Sequence, residues 1–214
     1  MMKNILEICI ADDHAIFREG LKQIIAGTTN MVVAGEAADA SEMLEKVRQG
    51  DYDLAILDIS LPGRSGLDIL VEIKAMKPKL PVLILSMHPE EQYALRALKS
   101  GASGYLTKGS SSQELLAALQ RISLGKKYVS DSLAEALACR LGADNDRPPH
   151  EQLSDREFQV MGMIAAGTTP KKIAEQLMIS IKTVNTYRTR ILQKMNATCN
   201  ADLTRYALEH RLLQ

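Results

Sequence analysis

The first part of the chain alternates between short continuous apolar runs and segments whose apolar residues repeat with helical spacing. Continuous runs of this kind are typical of strands buried on both faces, as in a parallel sheet. The pattern predicts strands near residues 5–11, 31–36, 53–58, 81–86 and 103–107, and helices near residues 15–27, 40–49, 65–76, 90–99 and 112–124. This alternation predicts a doubly wound α/β domain with a five-stranded parallel sheet over residues 1–125.

Residues 151–214 show a different pattern, with no strand signal and with apolar residues at helical spacing. Ser154 and Glu157 are spaced as a capping box at the start of one helix. Thr169 followed by a proline predicts the start of a second helix, and Ser180 caps a third. One face of the third helix is polar and basic, and its apolar face consists of Val184, Ile191 and Met195. Two helices joined by a tight turn predict an all-α helix-turn-helix domain.

Residues 126–150 separate these two patterns and are predicted to be a linker. Ser130, near the start of this linker, is placed to cap a short helix. The run from Gly142 to Pro149 contains two prolines and no apolar residue larger than alanine. Such a run is typical of an exposed, semi-rigid connector.

The composition, with 46% hydrophobic and 24% charged residues, is that of an ordinary globular protein. No apolar run approaches the ~20 residues of a membrane span, and Glu7 interrupts the short apolar run at the N-terminus, which argues against a signal peptide. The three cysteines lie far apart and form no CxxC pair. We therefore expect neither disulfides, nor a zinc site, nor a membrane partner, and we expect a cytoplasmic location.

The net charge of zero conceals an asymmetry between the two parts. Residues 1–150 carry 17 lysine and arginine residues against 20 aspartate and glutamate residues, whereas residues 151–214 carry 9 against 6. Between Lys171 and Lys194, six basic residues stand beside one acidic residue, Glu175. This cationic patch fits an anionic partner, although a run of charge is usually only a solvated face.

Charged residues stand at the ends of three predicted strands. Asp12 and Asp13 follow the first strand, Asp58 follows the third, and Lys108 follows the fifth. Because open α/β sheets bind ligands at the carboxyl ends of their strands, we expect three carboxylates and one ammonium to meet there. A hard divalent cation such as Mg²⁺ would relieve the repulsion among the carboxylates. A single strand-end aspartate is more often a turn former, but the spacing of all four residues favours a site.

Two other α/β families fit the sequence less well. A dinucleotide-binding domain carries GxGxxG after its first strand, where this chain reads Ala11-Asp12-Asp13-His14-Ala15. Haloacid-type phosphatases also use a strand-end aspartate, but they carry a second aspartate two residues later. This chain has Ser60 at that position.

The residues Asp12-Asp13, Asp58, Ser86 and Tyr105-Leu106-Thr107-Lys108 have the order and spacing of two-component receiver domains, and residues 5–125 resemble that flavodoxin-like family. The resemblance implies that Asp58 accepts a phosphoryl group. It implies that Mg²⁺ is held by Asp12, Asp13, Asp58 and the backbone carbonyl of Ser60. It also implies that Ser86 and Lys108 bind phosphoryl oxygens while Tyr105 turns inward. The alternatives are a helix cap for Ser86 and an ordinary half-buried aromatic for Tyr105.

The second domain resembles the LuxR-type helix-turn-helix of NarL/FixJ-class regulators. The matching segments are Leu153–Glu157, Ala165–Gly167, Lys172–Ala174 and Ile179–Arg188. Within the last segment, Val184–Arg188 looks closest to the GacA/UvrY and BvgA branches. The resemblance implies that the base edges of double-stranded DNA are read by Asn185, Thr186 and Thr189. It implies that the phosphates are contacted by Lys182, Thr183, Tyr187, Arg190 and Lys194. Arg188 lies nearer the buried side, and we expect it to pair with an acid.

Together the two resemblances imply a response regulator that binds promoter DNA and is not an enzyme. A sensor histidine kinase would phosphorylate Asp58, and phosphorylation would control homodimerisation and promoter binding. Two other classes stay open. A phosphatase would need an acid/base group that Ser60 does not supply, and a constitutive binding module would leave Asp58 inert.

Overall fold

The computed structural model describes residues 5–62, 64–131, 133–135, 148–210 and 212–213. The chain forms two compact units, Met1–Gly142 and Ala143–Gln214. The division falls inside the stretch predicted to be a linker. In the part of the chain that the structure describes, no helix is both long and apolar enough to cross a membrane.

The first unit is an α/β fold whose five strands all run parallel, in the order β2-β1-β3-β4-β5. The elements, in chain order, are β1 (Leu6–Ala11), α1 (Ala15–Ala26), β2 (Met31–Ala37), α2 (Ala40–Gln49), β3 (Leu54–Leu57), α3 (Gly66–Met76), β4 (Val82–Ser86), α4 (Glu90–Lys99), β5 (Gly104–Thr107) and α5 (Ser112–Ser123). The predicted doubly wound parallel sheet is confirmed, with the flavodoxin-like strand order.

Continuous apolar runs form the central strands because both faces of the sheet are covered. Every residue of β3 and β4 is buried, whereas the edge strand β2 has exposed positions among its buried ones. Ile8, Ile10 and Ile56 pack with Leu83 and Leu119 in one core cluster. This core fixes the carboxyl ends of β1, β3 and β5 side by side.

The chain after α5 stays on the first unit. The Tyr128 N–H donates to the Ser103 carbonyl over 2.8 Å, and Tyr128 forms a parallel bridge with Gly104 on β5. Ser130 caps a helical turn as predicted, since its Oγ accepts from the Leu133 N–H over 3.1 Å. Leu133 is only 5% exposed. The start of the predicted linker therefore packs against β5, while most of the run from Gly142 to Pro149 lies outside the described residues.

In its described residues, the second unit contains helices and the loops that join them. Its elements are a 3₁₀ turn (Pro149–Gln152), α6 (Asp155–Ala165), α7 (Pro170–Gln176), α8 (Ile181–Lys194) and α9 (Asn200–Glu209). The predicted caps Ser154, Thr169 and Ser180 all accept hydrogen bonds from the helices they precede. The predicted core face of α8 is also confirmed, with Val184 1% exposed and Ile191 0% exposed.

His150 departs from the linker prediction. The two prolines before it start the 3₁₀ turn, for which their restricted φ is suited. This turn buries His150, which is 8% exposed, and its Nδ1 lies 2.8 Å from the Tyr206 hydroxyl on α9. Residues 148–150, predicted to be linker, thus fold with the second unit.

Candidate functional site

The predicted carboxylates meet at the carboxyl edge of the sheet. Ala11 on β1 pairs with Leu57 on β3, so the residues that follow them, Asp12 and Asp58, are neighbours. Both are 2% exposed. Potential ligand atoms of Asp12, Asp13, His14 and Asp58 all lie within 4.8 Å of one another. The register of two parallel strands therefore creates an acidic pocket.

Lys108 joins this pocket from the end of β5. Its ammonium lies 2.6 Å from Asp12 Oδ2 and 2.8 Å from Asp58 Oδ2, and its side chain is 4% exposed. The Lys108 N–H donates to the Ser86 carbonyl over 2.8 Å, which aligns the strand end with β4. The Phe17 ring lies 4.7 Å from the ammonium. Sequence reasoning predicted the lysine but not this aromatic neighbour.

The electrostatics of the pocket are those of buried charges that share one cation. Burial raises the pKa of the Asp58 carboxyl, the bond to Lys108 opposes that rise, and the nearby Asp12 adds to it. Burial lowers the pKa of the Lys108 ammonium, but its bonds to Asp12 and Asp58 outweigh burial and hold that pKa above its usual value. One ammonium does not balance three carboxylates, so the oxygen-rich pocket suits a hard divalent cation.

Gly66 sets how closely the backbone packs behind Asp58. The Gly66 N–H donates to the Ile59 carbonyl over 2.8 Å. A Cβ at residue 66 would lie 2.0 Å from the Asp58 carbonyl oxygen, so a side chain there would displace the loop that carries Asp58. A glycine after an apolar strand and a turn is the one sequence signal for this contact.

His88 links Ser60, Ser86 and Tyr105 beside the pocket. Ser60 donates its N–H to Asp58 Oδ1 over 3.2 Å, and its Oγ lies 3.3 Å from His88 Nε2. The His88 N–H donates to Ser86 Oγ over 3.3 Å, and the Tyr105 hydroxyl donates to the His88 carbonyl over 2.8 Å. Burial lowers the pKa of His88, so its ring is neutral near pH 7. Tyr105 is 0% exposed, so its side chain is fully buried and not half-buried.

His14 lies beside the acidic pocket, at the start of α1. It stands at the N-cap position of α1 but makes no side-chain cap bond. Its side chain is 65% exposed, and its Nδ1 lies 2.7 Å from Asp13 Oδ1 and 3.3 Å from Asp12 Oδ1. An imidazole therefore borders the solvent side of the acidic pocket.

A groove between α1 and the start of α5 opens next to the pocket. Its volume is about 510 Å³, and its lining is mainly apolar but includes His14 and Lys108. Two hydrophobic side chains on its rim face solvent, Ile16 at 91% exposure and Met87 at 70% exposure. The groove thus joins an apolar contact surface to the charged site.

In the second unit the residues predicted to face DNA lie along α8. Exposed positions are Lys182, Asn185, Thr186, Thr189, Arg190 and Lys194, and Thr183 and Tyr187 are partly exposed. The Thr186 hydroxyl donates to the Lys182 carbonyl over 3.0 Å, and the Thr189 hydroxyl donates to the Asn185 carbonyl over 3.1 Å. These hydroxyl protons are used within the helix, which leaves the methyl groups and oxygen lone pairs for a ligand.

Two basic residues of α8 have partners that the sequence did not predict. Arg188 donates from Nε to the amide oxygen of Asn200 over 2.7 Å, so the expected acidic partner is an amide. The Lys194 ammonium lies 2.6 Å from Oε2 of Glu157, whose side chain is 4% exposed. Glu157 also completes the capping box of α6. Lys194 therefore ties α8 to the start of α6.

Comparison with known families accounts for both units. Residues 8–120 match the response regulator receiver domain, and residues 151–207 match the bacterial regulatory proteins of the luxR family. The chain is 35% identical to the oxygen regulatory protein NreC of Staphylococcus carnosus, over 97% of this chain and 99% of that protein. It is 31% identical to the response regulator UvrY of Escherichia coli, over 97% of this chain and 95% of that protein.

A solved structure of a bacterial regulator shows the same fold. It is RcsB from Salmonella enterica serovar Typhimurium bound to promoter rprA in the presence of the phosphomimetic BeF3-. The match has a TM-score of 0.67 and 25% identity, and it covers 95% of this chain and 98% of that chain. The relatives are regulators and not phosphatases, so the enzyme alternative is set aside.

Proposed function

The chain belongs to the response regulators that join a receiver domain to a LuxR-type DNA-binding domain, and from this membership we propose that phosphorylation of Asp58 controls its binding to promoters. The observation that carries the proposal is the pocket in which Asp12, Asp13, Asp58 and Lys108 converge. We place the receiver function in residues 1–125 and the DNA-binding function in residues 151–214. Binding to a bacterial chromosome would place the protein in the cytoplasm.

Asp58 is the carboxylate best suited to accept the phosphoryl group. A carboxylate oxygen would bond to phosphorus while the bond from phosphorus to the kinase histidine nitrogen breaks. Lys108 already bonds Asp58 Oδ2 at 2.8 Å, so its ammonium would balance charge on the incoming phosphoryl oxygens. Ser86, at the end of β4, would donate to another of these oxygens.

Asp12, Asp13 and Asp58, with the Ser60 carbonyl, would hold Mg²⁺. Hard oxygen donors from carboxylates and a backbone carbonyl are the ligands this ion prefers, and the pocket has more carboxylates than ammonium groups to balance them. When bound, the ion supplies positive charge beside the phosphoryl oxygens. The bond from His14 Nδ1 to Asp13 Oδ1 would orient the more exposed of these carboxylates.

The sensor kinase would dock on the groove between α1 and α5. A helix of the kinase would cover Ile16 and Met87, two exposed hydrophobic side chains beside an apolar groove, as is typical of an interaction surface. The groove includes His14 and Lys108 in its lining. A partner seated there would therefore reach the acidic pocket from its open side.

The exposed face of α8 would enter the major groove of DNA. Asn185 can make a bidentate contact to adenine, and the free methyl groups of Thr186 and Thr189 suit contact with thymine. Lys182, Thr183, Tyr187 and Arg190 would contact phosphates, which position the helix without reading sequence. Lys194 is better explained as a structural partner of Glu157. A phosphorylated homodimer would place two such helices on paired half-sites.

Intact-mass measurement tests the central step. The full chain is incubated with acetyl phosphate and Mg²⁺, with Asp58→Ala as the matched variant. We expect one added phosphoryl group on the wild type and none on Asp58→Ala, followed by tighter promoter binding of the wild type alone. If both chains stay unmodified, or if DNA binding is equal with and without the phosphodonor, the constitutive binding module is the better description.

A further inference from the structure

The post-α5 segment, residues 126–131 and 133–135, is held on the first unit at several points. The Lys127 ammonium donates to the Ala102 carbonyl, and the Lys127 carbonyl accepts from Arg121 Nε over 3.1 Å. Tyr128 bridges to β5 and packs against the core. In the chain this segment precedes the DNA-binding unit, so its attachment bears on how that unit is tethered.

One of these attachments reaches the start of α4. The Ser130 hydroxyl donates to Glu90 Oε2 over 2.5 Å. The same Ser130 oxygen accepts from the Leu133 N–H over 3.1 Å, and the Ser130 carbonyl accepts from the Ala134 N–H over 2.9 Å. Ser130 thus holds a helical turn and a glutamate of α4 at once. A change in the position of Glu90 would act directly on the cap of that turn.

Glu90 lies two residues beyond His88, which contacts the acidic pocket. The His88 ring touches Ser60 Oγ at 3.3 Å and stacks on Tyr93 with ring centroids 4.5 Å apart. Its backbone accepts from Tyr105 and donates to Ser86. Ser60 also bonds Asp58 directly. A short run of bonded groups therefore leads from Asp58 to the first residue of α4.

We infer that the contact between Glu90 and Ser130 is the point at which the state of Asp58 reaches the post-α5 segment. This inference rests on the proposed phosphorylation of Asp58. A phosphoryl group adds nearly two negative charges beside Ser60 and Ser86, and both of these residues are bonded to His88. Displacement of His88 draws Glu90 away from Ser130, so the turn that Ser130 holds through Leu133 and Ala134 loosens and the tether of the DNA-binding unit lengthens.

Hydrogen exchange of the full chain tests this coupling. The measurement follows peptides that cover residues 128–135, with and without beryllium trifluoride and Mg²⁺ as a stable phosphoryl analogue. In the wild type we expect exchange of the Leu133 and Ala134 amides to rise about tenfold with the analogue, as for loss of one hydrogen bond to a charged group. Glu90→Ala should exchange about tenfold faster without the analogue and respond little to it. Asp131→Ala, which removes an exposed neighbouring carboxylate, should behave as the wild type.

Separate readouts distinguish failure of this inference from failure of the proposed function. Asp58→Ala should show no response to the analogue, and phosphorylation by acetyl phosphate is followed by intact mass in the wild type and in Glu90→Ala. If both gain a phosphoryl group while residues 128–135 exchange at one unchanged rate in the wild type, the coupling through Glu90 is refuted and the receiver chemistry stands. If neither gains one, the proposed function fails first.

Discussion

In the first unit Asp12, Asp58 and Lys108 of the site lie inside the fold, whereas in the second unit the residues proposed to meet DNA lie on its surface. Lys108 is 4% exposed between two carboxylates that are themselves 2–3% exposed, while Asn185 stands on the open face of α8, opposite the buried Val184 and Ile191. Buried charges contribute to both function and stability. On α8, DNA binding and stability depend on opposite faces of one helix, so mutations should change one without the other.

The largest expected effect is that of Lys108→Ala. Removing the ammonium leaves Asp12 and Asp58 buried without their shared partner, and breaking a buried pair in this way costs about 4 kcal/mol. Urea denaturation should show this loss in the first unit, and added Mg²⁺ should restore part of it because the ion supplies the missing positive charge. The exposed Lys79→Ala is the control and should stay within about 0.5 kcal/mol of the wild type. An unchanged midpoint for Lys108→Ala would mean that its two ion pairs add no net stability.

Asn185→Ala should separate function from stability in the second unit. We expect a loss of about 2 kcal/mol in binding at one base position and an unchanged free energy of unfolding. Ile191→Ala, on the buried face of the same helix, should instead lower the free energy of unfolding by about 3 kcal/mol. Binding to promoter variants and thermal denaturation measure the two quantities. A loss of affinity by Asn185→Ala that is equal on every DNA sequence would assign it to a phosphate contact.

Lys194→Ala tests a residue of α8 that departs from this separation. We expect the substitution to lower the free energy of unfolding by about 1.5 kcal/mol. It removes the bond to the buried Glu157 carboxylate, which is a hydrogen bond between charged groups that is partly open to solvent. Although burial opposes it, the bond to Lys194 lowers the pKa of Glu157 in the fold. This contribution is present above the ordinary pKa of a glutamate and disappears as the pH falls through the lowered value. A smaller salt dependence of DNA binding in Lys194→Ala would instead restore its predicted phosphate contact.

The sequence predicted the backbone plan and the positions of Asp12, Asp13, Asp58 and Lys108 because strand ends are visible in a hydrophobic pattern. Parallel pairing then brings those ends together without any knowledge of side-chain geometry. Contacts that depend on side-chain direction could not be predicted from the hydrophobic pattern. His14 against Asp13, Lys194 against Glu157 and Ser130 against Glu90 join residues whose spacing follows no period of a helix or strand.

Side-chain contacts that the pattern does not show also explain why His150 was predicted to be part of the linker. His150 follows two prolines in a polar run, and composition alone marks such a run as exposed. Its burial comes from Phe158 on the next helix and from Tyr206, which lies far along the chain. Local pattern therefore predicts an element well when its own residues determine it, and poorly when distant aromatic side chains do.

The smallest expected effect, that of Asp58→Asn, has the opposite sign to that of Lys108→Ala. Because burial raises the pKa of Asp58 in the fold, the stability linked to this group is fully present below the ordinary pKa of an aspartate and is lost as the pH rises through the raised value. A neutral amide avoids that loss while Lys108 keeps its bond to Asp12. With a metal chelator present, we expect the variant to be about 1 kcal/mol more stable at pH 7 and equal to the wild type in acid, as measured by urea denaturation across pH. Equal stability at every pH would show that the bond to Lys108 fully offsets the free-energy cost of burying the Asp58 carboxylate.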